Sequence, residues 1–402
     1  MGKMRMKDDR GAKALACALA LLLLLMTAAC ALGEARDVSQ ACTFSGKPSS
    51  SLKYLTDGRY DTSWFSEGGK RAVLEIAVPE GELIGSVYVQ FYRTACAFDV
   101  QTMDAEGAWQ TAASCPTDYL TGYVQLPEGA QRVRIVPQPK NERLHIAQVH
   151  VFAQGEAPAW VQRWEAPLEK ADLLVIAGHP DDELLFMGGT IPYYAGERRL
   201  DVQVAYLVPS MPYRKLELLD GLWLCGVTHY PTLGPFPDRY ALSVKDLYGQ
   251  KGWSEGTLLR FVTGLYRRHR PDVVVSHDVR GEYGHATHRA AADAALRCVE
   301  LAADAAYQDK RLAYTEAWQV KKLYLHLYAE GEIDMDWRVP LEAFGGKTAF
   351  DMAQEAFAHH ISQQKTDYRV EDFGDYDCSL FGLAFTCVGE DVEKTDFFEH
   401  VE

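Results

Sequence analysis

The sequence predicts two folded parts in series, an all-β sandwich followed by a doubly wound, Rossmann-like α/β domain, and three observations predict it. Between about residues 37 and 153, short alternating or β-branched runs are separated by Gly, Pro and Asp clusters, which is a sandwich pattern. From residue 170 onward, apolar runs of strand length alternate with longer helical segments, the pattern of parallel strands joined by crossover helices. Between the two, residues 155–169 carry Pro158 and Pro167 together with Trp160 and Trp164; the prolines stiffen this linker and the tryptophans are expected to pack at the junction. With 402 residues, 48% of them hydrophobic, the chain has enough material for two or three domains.

Ahead of these parts, residues 1–33 read as a targeting segment. Lys3, Arg5, Lys7, Arg10 and Lys13 form a basic start, and residues 14–31 are an uncharged apolar run ending in small residues, which resembles a secretory signal. Export to the cell surface or beyond is the expected localisation. Ala29-Cys30-Ala31 and Ala31-Leu32-Gly33 suit an ordinary signal peptidase, Thr27-Ala28-Ala29-Cys30 resembles a lipobox without its usual Leu that would put a lipid on Cys30, and eighteen apolar residues are near the lower limit for an uncleaved anchor. The formal net charge is −15 even though this segment is basic. Such an acidic body repels phosphate backbones, so no nucleic-acid partner is expected.

Of nine cysteines, Cys17 and Cys30 lie in the targeting segment and seven follow it. An odd number leaves at least one thiol without a partner in this chain. Cys96 with Cys115 and Cys378 with Cys387 are candidate disulfides, with free buried thiols as the alternative. No CxxC occurs, so a cysteine zinc site has no support.

In the first part, strands are expected at 72–76, 86–91, 132–136 and 146–152. In the second, they are expected at 172–177, 202–208 and 272–276, with helices over 184–194, 213–225 and 255–269, the last stopping before Pro271. The first of these strands lacks GxGxxG and Gly188-Gly189 comes too late to supply one, so a dinucleotide has no pyrophosphate turn to bind.

Chemistry is concentrated where the first α/β strand ends, at Gly178-His179-Pro180-Asp181-Asp182-Glu183. Ligands in open α/β sheets bind at the carboxyl ends of strands. Three consecutive carboxylates there are expensive to desolvate without a cation to neutralise them. His179 and Asp182, three positions apart across a turn into a helix, can aim a nitrogen and an oxygen at one point, with Asp181 free beside them. A catalytic zinc usually keeps three protein ligands and one open position, so a distant histidine should complete the set. Tyr283-Gly284-His285-Ala286-Thr287-His288 offers two, following the strand at 272–276 and opening an Ala-rich helix on which 285 and 288 share a face.

HPDDE after one strand and YGHxxH after a later one resemble the PIG-L/LmbE-like family of zinc-dependent de-N-acetylases, over about residues 170–402. The resemblance implies that His179, Asp182 and His288 bind Zn2+, with iron or cobalt as other candidate metals. It also implies that Asp181 is the general base and that His285 stabilises the transition state or protonates the leaving amine. Arg214, followed by Lys215, Leu216 and Glu217, and Asp238 in Phe236-Pro237-Asp238 match family positions near substrate; on local grounds alone Arg214 could pair with Glu217 and Asp238 could cap a turn. His277 is read as a structural histidine, and the segment His360-Ile361-Ser362-Gln363-Gln364 resembles a family stretch with no role assigned. Many relatives carry Pro-Asp between the two histidines where this chain has Ala286-Thr287, so any orienting role of that Asp is lost.

Within residues 37–154, Asp57-Gly58-Arg59-Tyr60-Asp61, Trp64, Trp109 and the closing run 146–152 resemble the discoidin or coagulation-factor type C family, a galactose-binding-like jelly roll whose members often bind carbohydrate. Trp64 and Trp109 are themselves expected to be core aromatics. Together the resemblances imply an exported hydrolase that removes N-acetyl groups from N-acetylglucosamine-containing glycans or glycoconjugates, with a glycan as the expected ligand of the first part. An amidase acting on another conjugate and a non-catalytic glycan-binding surface protein are the alternatives. A spare carboxylate at Asp181 argues against the last, because a purely structural zinc site is closed by four ligands.

Overall fold

Nine short strands come first: β1 (Thr43–Ser45), β2 (Trp64–Phe65), β3 (Leu74–Ala77), β4 (Ile84–Phe91), β5 (Phe98–Met103), β6 (Trp109–Cys115), β7 (Thr121–Ala130), β8 (Arg132–Pro137) and β9 (His145–Phe152). The computed structural model describes residues 33–139, 142–209, 211–309, 312 and 315–401, so the targeting segment up to residue 32, with Cys17 and Cys30, lies outside them. Among the described residues no helix is long and apolar enough to cross a membrane. The nine strands form two antiparallel sheets, ordered β1-β3-β8-β5-β6 and β2-β9-β4-β7. Their inner faces share one apolar cluster that includes Trp64, Ile76, Val89, Phe91, Phe98 and Val100. At Gly122 on β7 a Cβ would stand 2.8 Å from the Phe98 ring and 2.9 Å from Cys115 Sγ. Glycine there sets how closely the sheets approach. Trp64 is fully enclosed and donates its indole N–H to the Pro48 carbonyl, whereas Trp109 is half-buried on a surface strand with the Arg134 guanidinium over its ring.

The second half contains β10 (Leu173–Ala177), α1 (Asp182–Leu185), β11 (Val202–Tyr206), α2 (Pro212–Leu224), β12 (Thr232–Leu233), α3 (Val244–Tyr248), α4 (Glu255–His269), β13 (Val273–Ser276), α5 (Ala286–Ala303), β14 (Lys322–His326), β15 (Glu332–Asp334), α6 (Ala349–Ala358) and β16 (Leu380–Thr386). Its sheet runs β12-β11-β10-β13-β14-β16-β15. The first five strands are mutually parallel, and β16 runs antiparallel to both of its neighbours, β14 and β15. Strand β10 is buried on both faces, Leu173, Val175 and Ala177 packing into one cluster and Leu174 and Ile176 into another, as expected of a central parallel strand. From β10 the chain proceeds outward to β11 and β12, then returns to β13 on the other flank. The gap between the carboxyl ends of β10 and β13 is therefore the topological switch point, where α/β sheets open a crevice.

One expected helix is not there. In place of a continuous helix over 184–194 the chain forms the four-residue α1, a turn, and a π-helical turn at Pro192–Glu197. Gly188 adopts φ +47°, and a Cβ on it would lie 2.5 Å from Cys378 Sγ; Pro192 lacks the N–H that would continue the ladder. The candidate disulfides are also not formed. Cys96, Cys115, Cys378 and Cys387 are all free thiols, as are Cys42, Cys225 and Cys298.

The segment between β9 and β10 is docked onto the α/β half. Glu165 N–H donates to the Thr228 carbonyl (2.9 Å) and Tyr230 N–H to that of Glu165 (3.0 Å). Trp164 packs edge-on against Trp223 and Tyr230, while Trp160 lies against Tyr88 and Phe152 of the sandwich. Direct bonds join the halves as well, Tyr60 Oη donating to Asp220 Oδ2 at 2.7 Å and Leu120 N–H to Tyr230 Oη at 3.3 Å.

Candidate metal centre

His179 follows β10 after the single residue Gly178, and Asp182 opens α1. Between them Asp181 is held at φ +109°, a left-handed conformation uncommon for a non-glycine residue. Two bonds hold it there: its N–H donates to Glu183 Oε2 at 2.9 Å, and its Oδ1 accepts from Arg214 Nη2 at 2.7 Å. The tight turn lets Asp182 reach back, so that Oδ2 accepts the His179 N–H at 2.6 Å and lies 3.1 Å from His179 Nδ1. From the other side of the crevice α5 brings His288. Its Nε2 is 3.1 Å from Asp182 Oδ2 and 3.3 Å from His179 Nδ1. His285 caps α5, accepting the Thr287 N–H on Nδ1 at 3.3 Å.

The three atoms expected to bind metal thus form a triangle with edges of 3.1, 3.1 and 3.3 Å. Ligands about 2.0–2.1 Å from a tetrahedral zinc are about 3.3 Å apart, so these residues fit a metal. Two overlapping sets also have ligand atoms within 4.8 Å of one another, one drawing on His285 and one on His277. His277 is excluded by its bonds: Nε2 accepts the Gly178 N–H at 2.8 Å and Nδ1 faces Glu282 Oε2 at 2.9 Å. His285 already accepts on Nδ1, and a neutral ring therefore carries its proton on Nε2, a donor and not a ligand.

Burial and charge act together here. His179, Asp181, Asp182, Glu183, His285 and His288 are all buried. Burial pushes the Asp181 carboxyl above the ordinary range, with the Arg214 charge opposing it. Asp182 is held well below that range despite its burial, by His288 and His179. Although burial alone would lower His288, the Asp182 and Glu282 carboxylates on its two sides push it up to about 10. His285 is pushed down to about 3 by burial and by the neighbouring His179 and His288. It is neutral at any ordinary pH.

The crevice is a small pocket of about 180 Å³, lined by His179, Asp181, Asp182, Arg214, Asp238 and His285 with Leu185, Phe186, Tyr283, Gln363, Thr366 and Tyr368. All seven residues expected at the site are close together, His288 beneath the pocket and the other six on its walls. Arg214 does not pair with Glu217, which instead accepts the N–H and hydroxyl of Ser362. Asp238 is exposed on the lip. The 360–364 segment supplies Gln363 to the pocket, and its His360 lies buried behind the site, 3.5 Å from Glu183 Oε1. Sequence reasoning missed Glu282, His326 and Tyr368: Glu282 and Tyr368 lie in connections with no periodic or motif signal, and His326 ends β14, where an apolar strand pattern says nothing of what its last side chain meets.

The family match to known proteins falls on this half of the chain. Residues 174–299 match the PIG-L family, described as GlcNAc-PI de-N-acetylase. The 1D-myo-inositol 2-acetamido-2-deoxy-alpha-D-glucopyranoside deacetylase of Streptomyces avermitilis is 30% identical over 158 residues, 32% of this chain and 53% of that protein. The protein of the same name from Mycolicibacterium smegmatis is 27% identical over 195 residues, 42% of this chain and 67% of that protein. This chain therefore spans about half the length of the first relative. A solved structure of N,N'-diacetylchitobiose deacetylase from Pyrococcus horikoshii is 18% identical, covering 51% of this chain and 75% of that one with a TM-score of 0.37. Both histidine-bearing turns fall inside the matched stretch, and the α/β half of this chain carries a PIG-L family domain at residues 174–299.

Proposed function

We propose that this protein is an exported, metal-dependent hydrolase that removes N-acetyl groups from N-acetylglucosamine-containing glycans or glycoconjugates. The observation that carries the reading is the triangle of His179 Nδ1, Asp182 Oδ2 and His288 Nε2 with Asp181 beside it and an open pocket in front. Relatives whose names specify deacetylation of an acetamido sugar support the choice of bond.

His179, Asp182 and His288 would hold the metal, zinc being the first choice. A bound metal would supply Lewis-acid polarisation of the amide carbonyl and water activated near neutral pH. Asp181 takes the proton of the attacking water; Arg214 fixes the orientation of its carboxylate, and its burial raises its basicity toward the working range of a general base. His285, neutral and protonated on Nε2, donates a hydrogen bond to the oxygen on which charge develops or to the departing nitrogen. Its low pKa favours this donor role over that of a proton carrier. At about 180 Å³ the pocket is smaller than the roughly 300 Å³ at which drug-sized sites begin. It encloses the acylated end of a sugar, and the remainder lies across the lip formed by Asp238 and Tyr368. Water supplies the hydroxyl of the acid product, and the products are acetate and a free amine.

The test is acetate release from a panel of N-acetylglucosamine oligosaccharides and glycolipids, on protein stripped of metal and reloaded with zinc. Zinc-dependent release is expected from at least one member. Asp181→Asn should keep one equivalent of zinc and lose about 10²–10⁴-fold in turnover, whereas His179→Ala should lose the metal. Equal metal loss in both variants would refute this division of labour. Export is checked by mass spectrometry of the mature N-terminus; a chain still beginning at Met1 in the cytoplasmic fraction would overturn it.

A further inference from the structure

Glu282 sits at the centre of a buried array that none of the preceding roles uses. Its side chain is 0% exposed, and an enclosed carboxylate is costly unless every lone pair is engaged. Four N–H groups engage it. Oε2 lies 2.7 Å from His288 Nδ1 and 2.9 Å from His277 Nδ1, while Oε1 lies 2.8 Å from His326 Nδ1 and accepts the Asp278 N–H at 3.1 Å. A carboxylate can only accept, so each of the three imidazoles carries a proton on Nδ1.

The far nitrogens then point where the site needs them. His277 Nε2 accepts the N–H of Gly178, the residue just before the HPDDE turn. His288 Nε2 is directed at Asp182 Oδ2 and His179 Nδ1. The two rings stack with centroids 4.2 Å apart and planes 17° from parallel, so neither can turn without the other. One carboxylate in the turn between β13 and α5 therefore fixes both walls of the crevice, the histidine from α5 directly and the turn after β10 through His277.

We propose that Glu282 is the positioning residue of the metal centre: it sets the tautomer and ring orientation of His288 directly and the placement of the His179–Asp182 turn through His277. A carboxylate behind a metal-binding imidazole raises its basicity and holds its aim, and losing such a partner typically costs 10–100-fold in metal affinity. The inference rests on the metal-centre reading above. It is separable from stitching of the fold, because a stitch alone would change the stability of the metal-free protein and leave affinity untouched at temperatures where the protein is folded.

The experiment measures zinc affinity of the full chain by competition with a chromophoric chelator, well below the unfolding midpoint of the metal-free protein, alongside near-ultraviolet circular dichroism. Glu282→Gln, folded, is expected to bind zinc 10–100-fold more weakly than the unsubstituted protein. Glu282→Asp, which keeps the charge but is one methylene shorter, should lose less in the same direction, and it serves the comparison if the Gln variant does not fold. Affinity within threefold of the unsubstituted protein in a folded Gln or Asp variant overturns the proposal. His288→Ala separates the two layers of argument. If it too binds zinc like the parent, the metal centre has been misplaced; if it loses zinc while the Glu282 variants do not, the centre stands and the positioning role falls.

Discussion

Asp181 is left-handed in its backbone, and burial raises its pKa. Arg214 answers both, bridging the Pro180 carbonyl and Asp181 Oδ1 through one guanidinium nitrogen. A lysine ammonium is a point charge on a shorter, flexible stem and holds the two acceptors less firmly in place. Arg214→Lys should therefore keep the metal and lower kcat by up to about 10²-fold, the cost of a misplaced reacting group; steady-state kinetics with metal analysis of the same sample checks it, and unchanged kcat would remove Arg214 from the orienting role. The residues legible in the sequence were those whose partners are local. His179, Asp181 and Asp182 share one turn, and the spacing of His285 and His288 is one helical step. Glu282 was not legible, because its meaning comes from His326, 44 positions away on another strand, and from a ring stack that no spacing rule foresees.

Among the elements, those with a strong local pattern formed where expected, the helices at Pro212–Leu224 and Glu255–His269 included. The apolar run 172–177 became β10 (Leu173–Ala177) because a fully buried strand needs only a short, continuous apolar segment. The expected helix at 184–194 failed for a tertiary reason: Gly188 bends the chain to let Cys378 lie against its Cα, and no local signal announces a contact 190 residues away. Positive φ alone makes a side chain costly there, and the contact leaves no volume for one. Gly188→Ala should destabilise the protein by about 1–3 kcal/mol, read from the denaturant midpoint, and Cys378→Ala in the same chain should recover part of that loss. A Gly188→Ala protein as stable as its parent would show that the turn after α1 relaxes freely. Because α1 carries Asp182, the same substitution links packing to the site, and weaker metal binding should accompany the loss of stability.

At the scale of the whole molecule, the two halves are joined by more than chain connectivity. The core of the sandwich continues into one face of the α/β sheet, and the intervening segment is fastened along its length. His269, the last residue of α4 and fully enclosed, is one of the fasteners. Its Nδ1 faces the Leu168 carbonyl and its Nε2 the Thr232 hydroxyl at 3.0 Å, so the neutral ring donates at one end and accepts at the other. Burial, helped by the charge of Arg268 and opposed by the bond to Leu168, pushes its pKa down to about 4, below the value near 6.5 of an unfolded chain. The unfolded state therefore takes up a proton first as the pH falls. Stability from this group is fully present above about pH 6.5 and is lost progressively as the pH falls through the folded-state value near 4, a total of about 3 kcal/mol by linkage. His269→Gln keeps a donor and an acceptor but cannot take up the proton. Urea unfolding at pH 7 and pH 4.5 should show a smaller fall in stability between the two for the Gln variant than for the parent. The same fall in both would assign acid sensitivity to other groups, and would leave His269 a packing residue of the joint with no part in its response to pH.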